Sequence, residues 1–374
     1  MECKNCLYNI NIPAINFDNE GICNYCRQHN ELDNIYPFHE EGRTKLLQIV
    51  AEIKADGKNK KYDVVVGVSG GCDSSYLLHL AVELGLRPLA VHYDNTWNGT
   101  KAVENIKAIT DKLNIDLYTH VADNKEVCDI LHTFLKASVP DIDCHTDLAL
   151  AATHYIAAEK YNIKYIWEGH SFRTEGISPP GWFYMDAKYI KKVFQKFGGK
   201  KIKTIPLLTL TKWFKWMLVD KIKKIRPLYY LDYKKEEVKE LLKNKYQWQW
   251  YGGHHMENRL SYFCNNYYLP KKFKIDLRVC EFSANIRSGY CSKKEAILEL
   301  EKPKPFDETI LTELCNRLNI SLDTFNSFMS LPPKTYKNYP NYKTTFRLLR
   351  PIFWVLLKGK YITKSFYDKF TKNN

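Results

Sequence analysis

The chain has 374 residues, 45% of them hydrophobic and 26% charged, a balance that excludes a disordered chain and predicts a globular protein of about two domains. The longest uninterrupted apolar stretch, residues 351–357, is too short to cross a bilayer, and no signal peptide opens the chain, so we expect a cytoplasmic protein without a membrane span. The formal net charge of +14 predicts a phosphate-bearing ligand, but lysine rather than arginine carries the excess, so nucleic acid is not the expected partner.

The amino-terminal segment contains two CxxC pairs, formed by Cys3 with Cys6 and by Cys23 with Cys26. Pairs at this separation are typical of a structural zinc site with four thiolate ligands, which leaves no coordination position for a catalytic water. Fortuitous pairs or disulfides are the alternative, and a reducing compartment disfavours the latter. We therefore predict a structural Zn²⁺ module over residues 1–30, followed by a helical linker over residues 31–60.

Strands and helices alternate over residues 61–205. The predicted strands span 63–68, 88–94, 116–121 and 164–167, and the predicted helices span 75–84, 100–113, 125–137 and 147–161. Alternation at this spacing predicts an α/β fold in which a doubly wound parallel sheet is covered by helices on both faces. From residue 205 onward the alternation stops. Helical segments at 234–244, 293–300 and 308–318 predict a mostly helical domain over residues 206–374, which would bind substrate or a partner.

The first predicted strand runs directly into a glycine-containing loop and then into a helix. The free N–H groups of such a loop and the dipole of the helix form a cradle for an anion. The loop is neither a Walker A motif, which requires a lysine after the glycines, nor a G-x-G-x-x-G dinucleotide fingerprint. A tight turn without function is the alternative, but the full string SGGxDS after a buried strand is more specific. Its residues are Ser69, Gly70, Gly71, Asp73 and Ser74, followed by Ser75.

This loop resembles the PP-loop of the ATP pyrophosphatases. The resemblance implies that the loop residues and Ser75 bind ATP, that the loop grips its pyrophosphate, and that a substrate oxygen attacks the α-phosphate. It further implies that Asp73 contacts Mg²⁺ and that Asp73 and Ser74 are catalytic residues. Cys72 occupies the variable position of the motif and is not predicted to be a catalytic thiol.

Longer strings are similar to the N-acetyl sugar amidotransferases of bacterial surface-glycan biosynthesis, the WbpG- and PseA-like family. The strings are Cys3-x-x-Cys6, Phe17-Asp18, Gly21-x-Cys23-Asn24-x-Cys26, Glu168-Gly169-His170, Glu175-Gly176, Trp182-x-x-Met-Asp186, Trp250-Tyr-Gly-Gly253 with His255 and Glu257, and Leu269-Pro-Lys-Lys-Phe273. The resemblance implies that an acetamido group of a nucleotide-linked sugar becomes an acetamidino group through an adenylylated imidate, in the biosynthesis of O-antigen, lipopolysaccharide or nonulosonic acids. Because no glutaminase domain is recognised, it also implies a partner glutaminase with a cyclase-like subunit, similar to the pair of histidine biosynthesis, as the source of ammonia.

Further candidate site residues stand at the ends of predicted strands. Tyr93 and Asp94 end the second strand, at the edge where open parallel sheets bind ligands, and are predicted to contact the ribose or adenine of ATP. Capping of the strand end is the alternative for both. Glu168 and His170 follow the fourth strand on the same edge and are predicted to be catalytic. The predicted substrate contacts are Arg173, Glu175, Asp186, His255, Glu257 and Arg287.

Two other functions remain open. A tRNA-modifying PP-loop thiolase is also compatible with the CxxC module and the positive charge, but it requires catalytic cysteines near the nucleotide. Cys128 and Cys144 are the candidates in position, and they form no recognisable pair. A non-enzymatic scaffold with an inactive PP-loop is the third possibility, which the intact Ser69, Asp73 and Ser74 disfavour.

Overall fold

The computed structural model describes residues 1–253, 256–359 and 361–371, and its centre is a parallel β-sheet of five strands. The strands are β1 (Val64–Gly67), β2 (Pro88–Asp94), β3 (Leu117–Val121), β4 (Tyr165–Trp167) and β5 (Lys223–Ile225), arranged in the order β3-β2-β1-β4-β5. Every neighbouring pair is parallel; Val65 in β1, for example, is in register with Leu89 in β2 and with Ile166 in β4. The four strands expected from the sequence are confirmed.

The sequence pattern did not predict β5. Its three residues, Lys-Lys-Ile, lack a continuous apolar run because β5 lies at the edge of the sheet and pairs with β4 alone. The strand also lies beyond residue 205. The sheet therefore extends into the region that the end of the alternation assigned to the helical domain.

Helices connect the strands and form most of the chain after β5. Within the described residues the α-helices are, in chain order, α1 (Asn24–Ile35), α2 (Glu40–Asp56), α3 (Cys72–Glu83), α4 (Thr100–Leu113), α5 (Asn124–Ala137), α6 (Cys144–Lys160), α7 (Ala187–Lys196), α8 (Leu210–Phe214), α9 (Lys235–Tyr246), α10 (Arg259–Phe263), α11 (Arg278–Arg287), α12 (Lys293–Glu301), α13 (Thr309–Leu318), α14 (Leu322–Ser330), α15 (Lys343–Leu348), α16 (Arg350–Lys358) and α17 (Lys364–Thr371). Two π-helical segments span Lys215–Val219 and Cys264–Phe273. The predicted helices correspond to α2 to α6, α9, α12 and α13, whereas α1, α7, α8, α10, α11 and α14 to α17 were not individually predicted. Helix α3 begins three residues before its predicted start, because Gly71 is its extended N-cap residue.

Both faces of the sheet are covered, which confirms the predicted doubly wound α/β fold. Val64 and Val66 of β1 are buried on one face, in a cluster with residues of α2, α3 and α4. Val65 points to the opposite face and is buried in a cluster with residues of α5 and α6. This alternation follows from the pleat of a strand, in which successive side chains point to opposite sides.

The segment after β5 is mostly helical, as predicted, and shares a core with the rest of the chain. Tyr8 of the cysteine module, Ile166 of β4 and Phe263 and Phe353 of the carboxy-terminal helices belong to one continuous cluster of buried side chains. This packing brings residues of the helical segment to the edge of the sheet where the PP-loop lies. None of the helices described is both long and apolar enough to cross a membrane.

Candidate active site

The PP-loop leaves the carboxyl end of β1 and enters α3 through a turn that requires glycine. Gly70 has a φ of +78°, and a Cβ atom at this position would lie 2.2 Å from the carbonyl oxygen of Ala102. Two side chains hold the turn from behind. Trp248 Nε1 and Asn105 Nδ2 donate hydrogen bonds to the Gly70 carbonyl oxygen, at 3.0 and 3.1 Å. The loop conformation is therefore fixed by contacts outside the loop.

Serine side chains hold the other half of the loop. Ser74 Oγ accepts a hydrogen bond from the Ser69 N–H and donates one to the Gly71 carbonyl oxygen, both at 3.2 Å. Ser69 Oγ donates to Glu257 Oε1 at 3.3 Å. Glu257, a predicted substrate contact, thus lies directly against the loop and joins the helical segment to it.

The loop opens into a cleft of ≈ 1790 Å³. Because pockets for single drug-sized ligands measure roughly 300–1,000 Å³, this cleft has room for two substrates at once. The predicted site residues that line it are Ser69, Gly71, Asp73, Ser74, Glu168, His170, Glu175, Asp186 and Glu257. The sequence-based candidates from the loop, from the end of β4 and from the helical segment therefore meet in one place.

Asp73 lies in the first turn of α3 and has two partners. The Tyr233 hydroxyl donates to Asp73 Oδ1, and Lys235 Nζ lies 3.5 Å from Oδ2. Burial and the charge of Asp73 raise the pKa of Tyr233 well above its ordinary value, so the hydroxyl keeps its proton and remains a donor. The two contacts orient the carboxylate at the wall of the cleft, and carboxylate oxygen is a ligand that Mg²⁺ prefers.

Glu168 follows β4 and is paired with two cations. Its carboxylate oxygens lie 2.5 Å from Lys224 Nζ and 3.3 Å from Arg226 Nε. Burial alone would raise the pKa of Glu168, but the charges of Lys224 and Arg226 outweigh it and hold this pKa well below its ordinary value. A carboxylate that stays ionised in this way is suited to orienting the two cations, which also line the cleft, rather than to proton transfer.

His170 and Glu175 form the next part of the same wall. His170 Nδ1 lies 3.0 Å from the Tyr229 hydroxyl, and its Nε2 lies 3.7 Å from Glu175 Oε2. About a third of the His170 side chain, 35%, is exposed, and that of Glu175 is less so, at 14%. The pair therefore presents polar atoms to the cleft from positions that Tyr229 holds in place.

Several residues of the cleft were missed by the sequence pattern. They are Lys224, Arg226, Lys235 and His154, and Tyr233, which contacts Asp73 beside the cleft, was missed as well. Lys224, Arg226, Tyr233 and Lys235 follow β4 by more than fifty residues in a lysine-rich stretch. Without β5, the sequence gives no reason to single them out from the surrounding lysines. His154, on α6, lies close to Gly67, where a Cβ atom would meet its ring at 2.3 Å, and burial lowers its pKa to about 4.

Two predicted substrate contacts, Arg173 and Asp186, are engaged by other groups of the protein. Arg173 is 2% exposed, and its guanidinium binds the carboxylate of Asp33 and the carbonyl oxygens of Tyr36 and Tyr229. Arg173 does not line the cleft, and these three partners engage its guanidinium in the protein interior, so the structure places it away from a substrate. Asp186 borders the cleft but caps α7 by accepting from the Tyr189 N–H at 2.6 Å, and its other oxygen accepts from the Tyr184 hydroxyl and the Tyr342 N–H.

The residues at the end of β2 do not reach the cleft. Tyr93 is 4% exposed and stacks on His120, and Asp94 Oδ1 accepts from the Thr96 N–H and from Asn98 Nδ2. Asp94 thus caps the strand end, which was the alternative interpretation. Ser75 is also buried, at 2% exposure, and does not line the cleft. His255, another predicted substrate contact, lies outside the described residues.

The four cysteines of the amino-terminal module form a cluster. Cys3, Cys6, Cys23 and Cys26 are fully buried, and their Sγ atoms all lie within 4.8 Å of one another. The Cys3–Cys26, Cys6–Cys23 and Cys23–Cys26 distances are 3.7, 3.8 and 3.6 Å. A tetrahedral ion with metal–sulfur bonds of about 2.3 Å requires sulfur atoms about 3.8 Å apart. The donor set and its dimensions therefore fit a tetrahedral metal ion and not disulfides.

Arg287 belongs to this cluster rather than to the cleft. Its Nε and Nη2 atoms donate to Cys26 Sγ at 3.3 Å and to Cys6 Sγ at 3.1 Å, and its guanidinium lies over the Tyr8 ring. A metal with four thiolates carries excess negative charge, which the guanidinium offsets. The prediction that Arg287 contacts substrate is therefore wrong. The residue instead attaches the cysteine module to α11.

Part of the helical segment matches a family of known proteins. Residues 257–352 match the family model described as "LPS biosynthesis protein WbpG-like, C-terminal domain". A probable mitochondrial tRNA-specific 2-thiouridylase of Caenorhabditis elegans is 31% identical over 153 residues, 37% of this chain and 39% of that protein. An uncharacterized protein of Methanocaldococcus jannaschii is 24% identical over 306 residues, 81% of this chain and 94% of that protein.

Among solved structures, the NMN synthetase of Francisella tularensis shows a partial likeness, with a TM-score of 0.33 and 15% identity over 79% of this chain and 97% of that one. The match to the thiouridylase spans less than half of that protein's length. The match at residues 257–352 includes Glu257, the residue that contacts Ser69 of the PP-loop. Residues 257–352, which follow the PP-loop sheet, thus match the C-terminal domain of WbpG-like proteins, and this match is consistent with the family resemblance found in the sequence.

Proposed function

We propose that this protein is an ATP-dependent amidotransferase that converts an acetamido group of a nucleotide-linked sugar into an acetamidino group, in the biosynthesis of lipopolysaccharide or O-antigen. The observation that carries the proposal is the contact between Ser69 and Glu257, because it places the WbpG-like domain at the PP-loop, in one cleft. ATP would occupy the loop end of that cleft. The sugar would occupy the remainder.

The reaction balances in two steps. The acetamido oxygen attacks the α-phosphorus of ATP, and the bond to pyrophosphate breaks, which leaves an imidoyl adenylate. Ammonia then attacks the imidoyl carbon, and AMP departs with the former acetamido oxygen. The products are the acetamidino sugar, AMP and pyrophosphate. Because the adenylate is prone to hydrolysis, the site has to exclude water during both steps.

The residues of the cleft suit the charges of this reaction. Pyrophosphate would bind at the N-terminus of α3, where N–H groups and the helix dipole favour an anion. Lys224, Arg226 and Lys235 line the same cleft and would offset the charge that develops on the phosphates. Asp73 would hold Mg²⁺, which neutralises the leaving pyrophosphate when it is bound. Glu168 would keep Lys224 and Arg226 aimed at the phosphates.

We further propose that the four-cysteine cluster binds Zn²⁺ and that its role is structural. Sulfur would fill all four coordination positions of a tetrahedral ion, so no position would remain for a substrate or a water.

Ammonia would come from a partner glutaminase with a cyclase-like subunit. The reaction consumes one ammonia for each sugar, so it needs a source of nitrogen.

A tRNA thiolase is the second candidate, favoured by the 2-thiouridylase relatives. Such an enzyme needs a reactive cysteine beside the nucleotide. Cys128 and Cys144 are buried outside the cleft, and burial raises the pKa of both thiols. Cys280 does border the cleft, but burial raises its pKa to about 12, and the Tyr8 hydroxyl donates to its sulfur. These thiols are poorly suited to nucleophilic sulfur chemistry.

The test is a direct assay with ATP, Mg²⁺, ammonium salt and a panel of nucleotide-linked acetamido sugars. We expect release of AMP and pyrophosphate, and mass spectrometry should show one sugar in which oxygen is replaced by NH. Asp73→Ala should abolish the product, whereas Asp111→Ala, an exposed change on α4, should not. ATP cleavage that depends on tRNA, with no change in any sugar, would establish the thiolase instead.

A further inference from the structure

The last helices of the chain expose an apolar stripe that the proposed reaction does not use. Leu348, Ile352 and Val355 are 77%, 49% and 61% exposed; Ile352 and Val355 stand three positions apart on one side of α16, and Leu348 is the last residue of α15 just before it. Phe346 and Phe353 lie on the opposite side and are buried, which shows that the helices are anchored in the core through that side. A stripe of large apolar side chains on an anchored helix marks an interaction surface.

Cationic side chains border this stripe. Arg347, Arg350 and Lys358 are exposed, and Arg350 and Lys358 stand four positions before and after Trp354, which is 52% exposed, on one side of α16. Lys358 Nζ lies 5.5 Å from the centre of the Trp354 ring. Within the described ranges, none of the three cations forms an ion pair. Arg350 Nε instead donates to the Tyr367 hydroxyl at 3.1 Å.

The surrounding sequence strengthens the positive charge. Residues 324–367 contain no aspartate or glutamate, but they contain eight lysines and arginines. Exposed tryptophan and aliphatic side chains beside unpaired cations are the combination by which a helix lies in the headgroup region of a bilayer. The cations are attracted to lipid phosphates, and the apolar side chains enter the acyl boundary.

We propose that α15 and α16 dock this protein on an anionic lipid surface, with the stripe and Trp354 at the depth of the headgroups. An anionic bilayer satisfies both the charge and the apolar side chains, whereas a protein partner would need an apolar groove with an acidic rim. Leu357 of α16 also lines the cleft, so docking would place the cleft beside the lipid surface. This inference goes beyond the proposed reaction and does not depend on it.

The experiment is co-sedimentation of the full chain with phosphatidylcholine vesicles that do or do not contain phosphatidylglycerol. We expect association with the anionic vesicles alone, weakening as salt is added. The double variant Trp354→Ser/Val355→Ser should lose most of this association. Arg347→Gln/Arg350→Gln removes two charges near the surface and should weaken it roughly tenfold or more. Melting temperatures close to that of the wild type would show that both variants are folded.

Matched controls separate the stripe from general charge and hydrophobicity. Leu298→Ser/Leu322→Ser changes two side chains of similar exposure, 52% and 53%, on other helices, and Lys107→Gln/Lys112→Gln removes two exposed charges from α4. Both control pairs should sediment as the wild type does. Absence of binding to anionic vesicles, or equal loss in the control pairs, would overturn the proposal. A third outcome would also overturn it: the protein does not bind vesicles but forms a dimer in solution, and Trp354→Ser/Val355→Ser dissociates this dimer. The stripe would then join two copies of this chain.

Discussion

Replacing Gly70 with alanine tests whether the PP-loop is held as the structure shows. The left-handed backbone at Gly70, φ +78°, costs an alanine about 1–2 kcal/mol. The new Cβ would also lie 2.2, 2.7 and 2.8 Å from three backbone atoms of Ala102, which cannot move aside as a side chain can. Relief of such an overlap costs about 1–3 kcal/mol. We therefore expect Gly70→Ala to lose about 3 kcal/mol of stability, a fall of roughly 6–12 °C in Tm.

Two further glycine substitutions separate the cost of backbone strain from the cost of the steric overlap. Gly289 has a similar φ, +74°, with no atom within 4 Å of a Cβ, so Gly289→Ala should cost about 1 kcal/mol, the backbone strain alone. Gly71 has a negative φ, and the three atoms nearest to a Cβ there are side-chain atoms of Ser69, Tyr251 and Glu257, at 3.0 to 3.3 Å. Gly71→Ala should therefore keep its Tm but bind ATP more weakly. Thermal unfolding measures the stability of each variant, and AMP release at increasing ATP concentration measures how well it uses ATP. A Gly70→Ala protein as stable as Gly289→Ala would refute the loop geometry.

Three further predictions follow from the ion pairs and the cysteines. Metal analysis should find one zinc per chain. Cys23→Ser should lose the metal and lower Tm far more than the control Cys315→Ser, which changes another buried cysteine. Arg287→Gln should weaken zinc binding roughly 10- to 100-fold. Glu168→Gln leaves Lys224 and Arg226 without their counter-charge and should cost about 3 kcal/mol at neutral pH. The pKa of Glu168 is lower in the folded than in the unfolded protein, so its contribution to the stability of the fold is present above the unfolded pKa of about 4.3 and is lost as pH falls through the folded pKa. The stabilities of the wild type and Glu168→Gln should therefore converge at low pH. Cys128→Ala and Cys144→Ala should retain AMP release, and loss of activity in folded protein would favour the thiolase.

The parts of the site that the sequence predicted are those carried by local pattern. The SGGxDS string specifies its own turn, since Gly70 must take a left-handed conformation between a buried strand and a helix. The two CxxC pairs specify four sulfur ligands by spacing alone. In both cases the residues that act together are close in sequence, and the chemistry of each residue type leaves few alternatives.

The parts that could not be predicted depend on contacts between distant segments. Arg173 and Arg287 are charged residues near predicted site strings, but Asp33 lies 140 positions from the first, and Cys6 lies 281 positions from the second. A guanidinium engaged by such a partner cannot be told from a free one by sequence. The cations Lys224 and Arg226 were missed for the converse reason. They belong to or follow β5, a short edge strand without an apolar run, so the sequence pattern did not predict a strand that ends at the cleft.

The most direct test of the central claim is to follow the acetamido oxygen of the sugar. A nucleotide-linked sugar whose acetamido group carries a heavy oxygen isotope is incubated with ATP, Mg²⁺ and ammonium salt, and the products are analysed by mass spectrometry. If the PP-loop directs that oxygen onto the α-phosphorus, the isotope is recovered in AMP and the sugar has gained nitrogen in its place. Recovery of the isotope in unchanged sugar, while ATP is still cleaved to AMP and pyrophosphate, would contradict activation of the acetamido group.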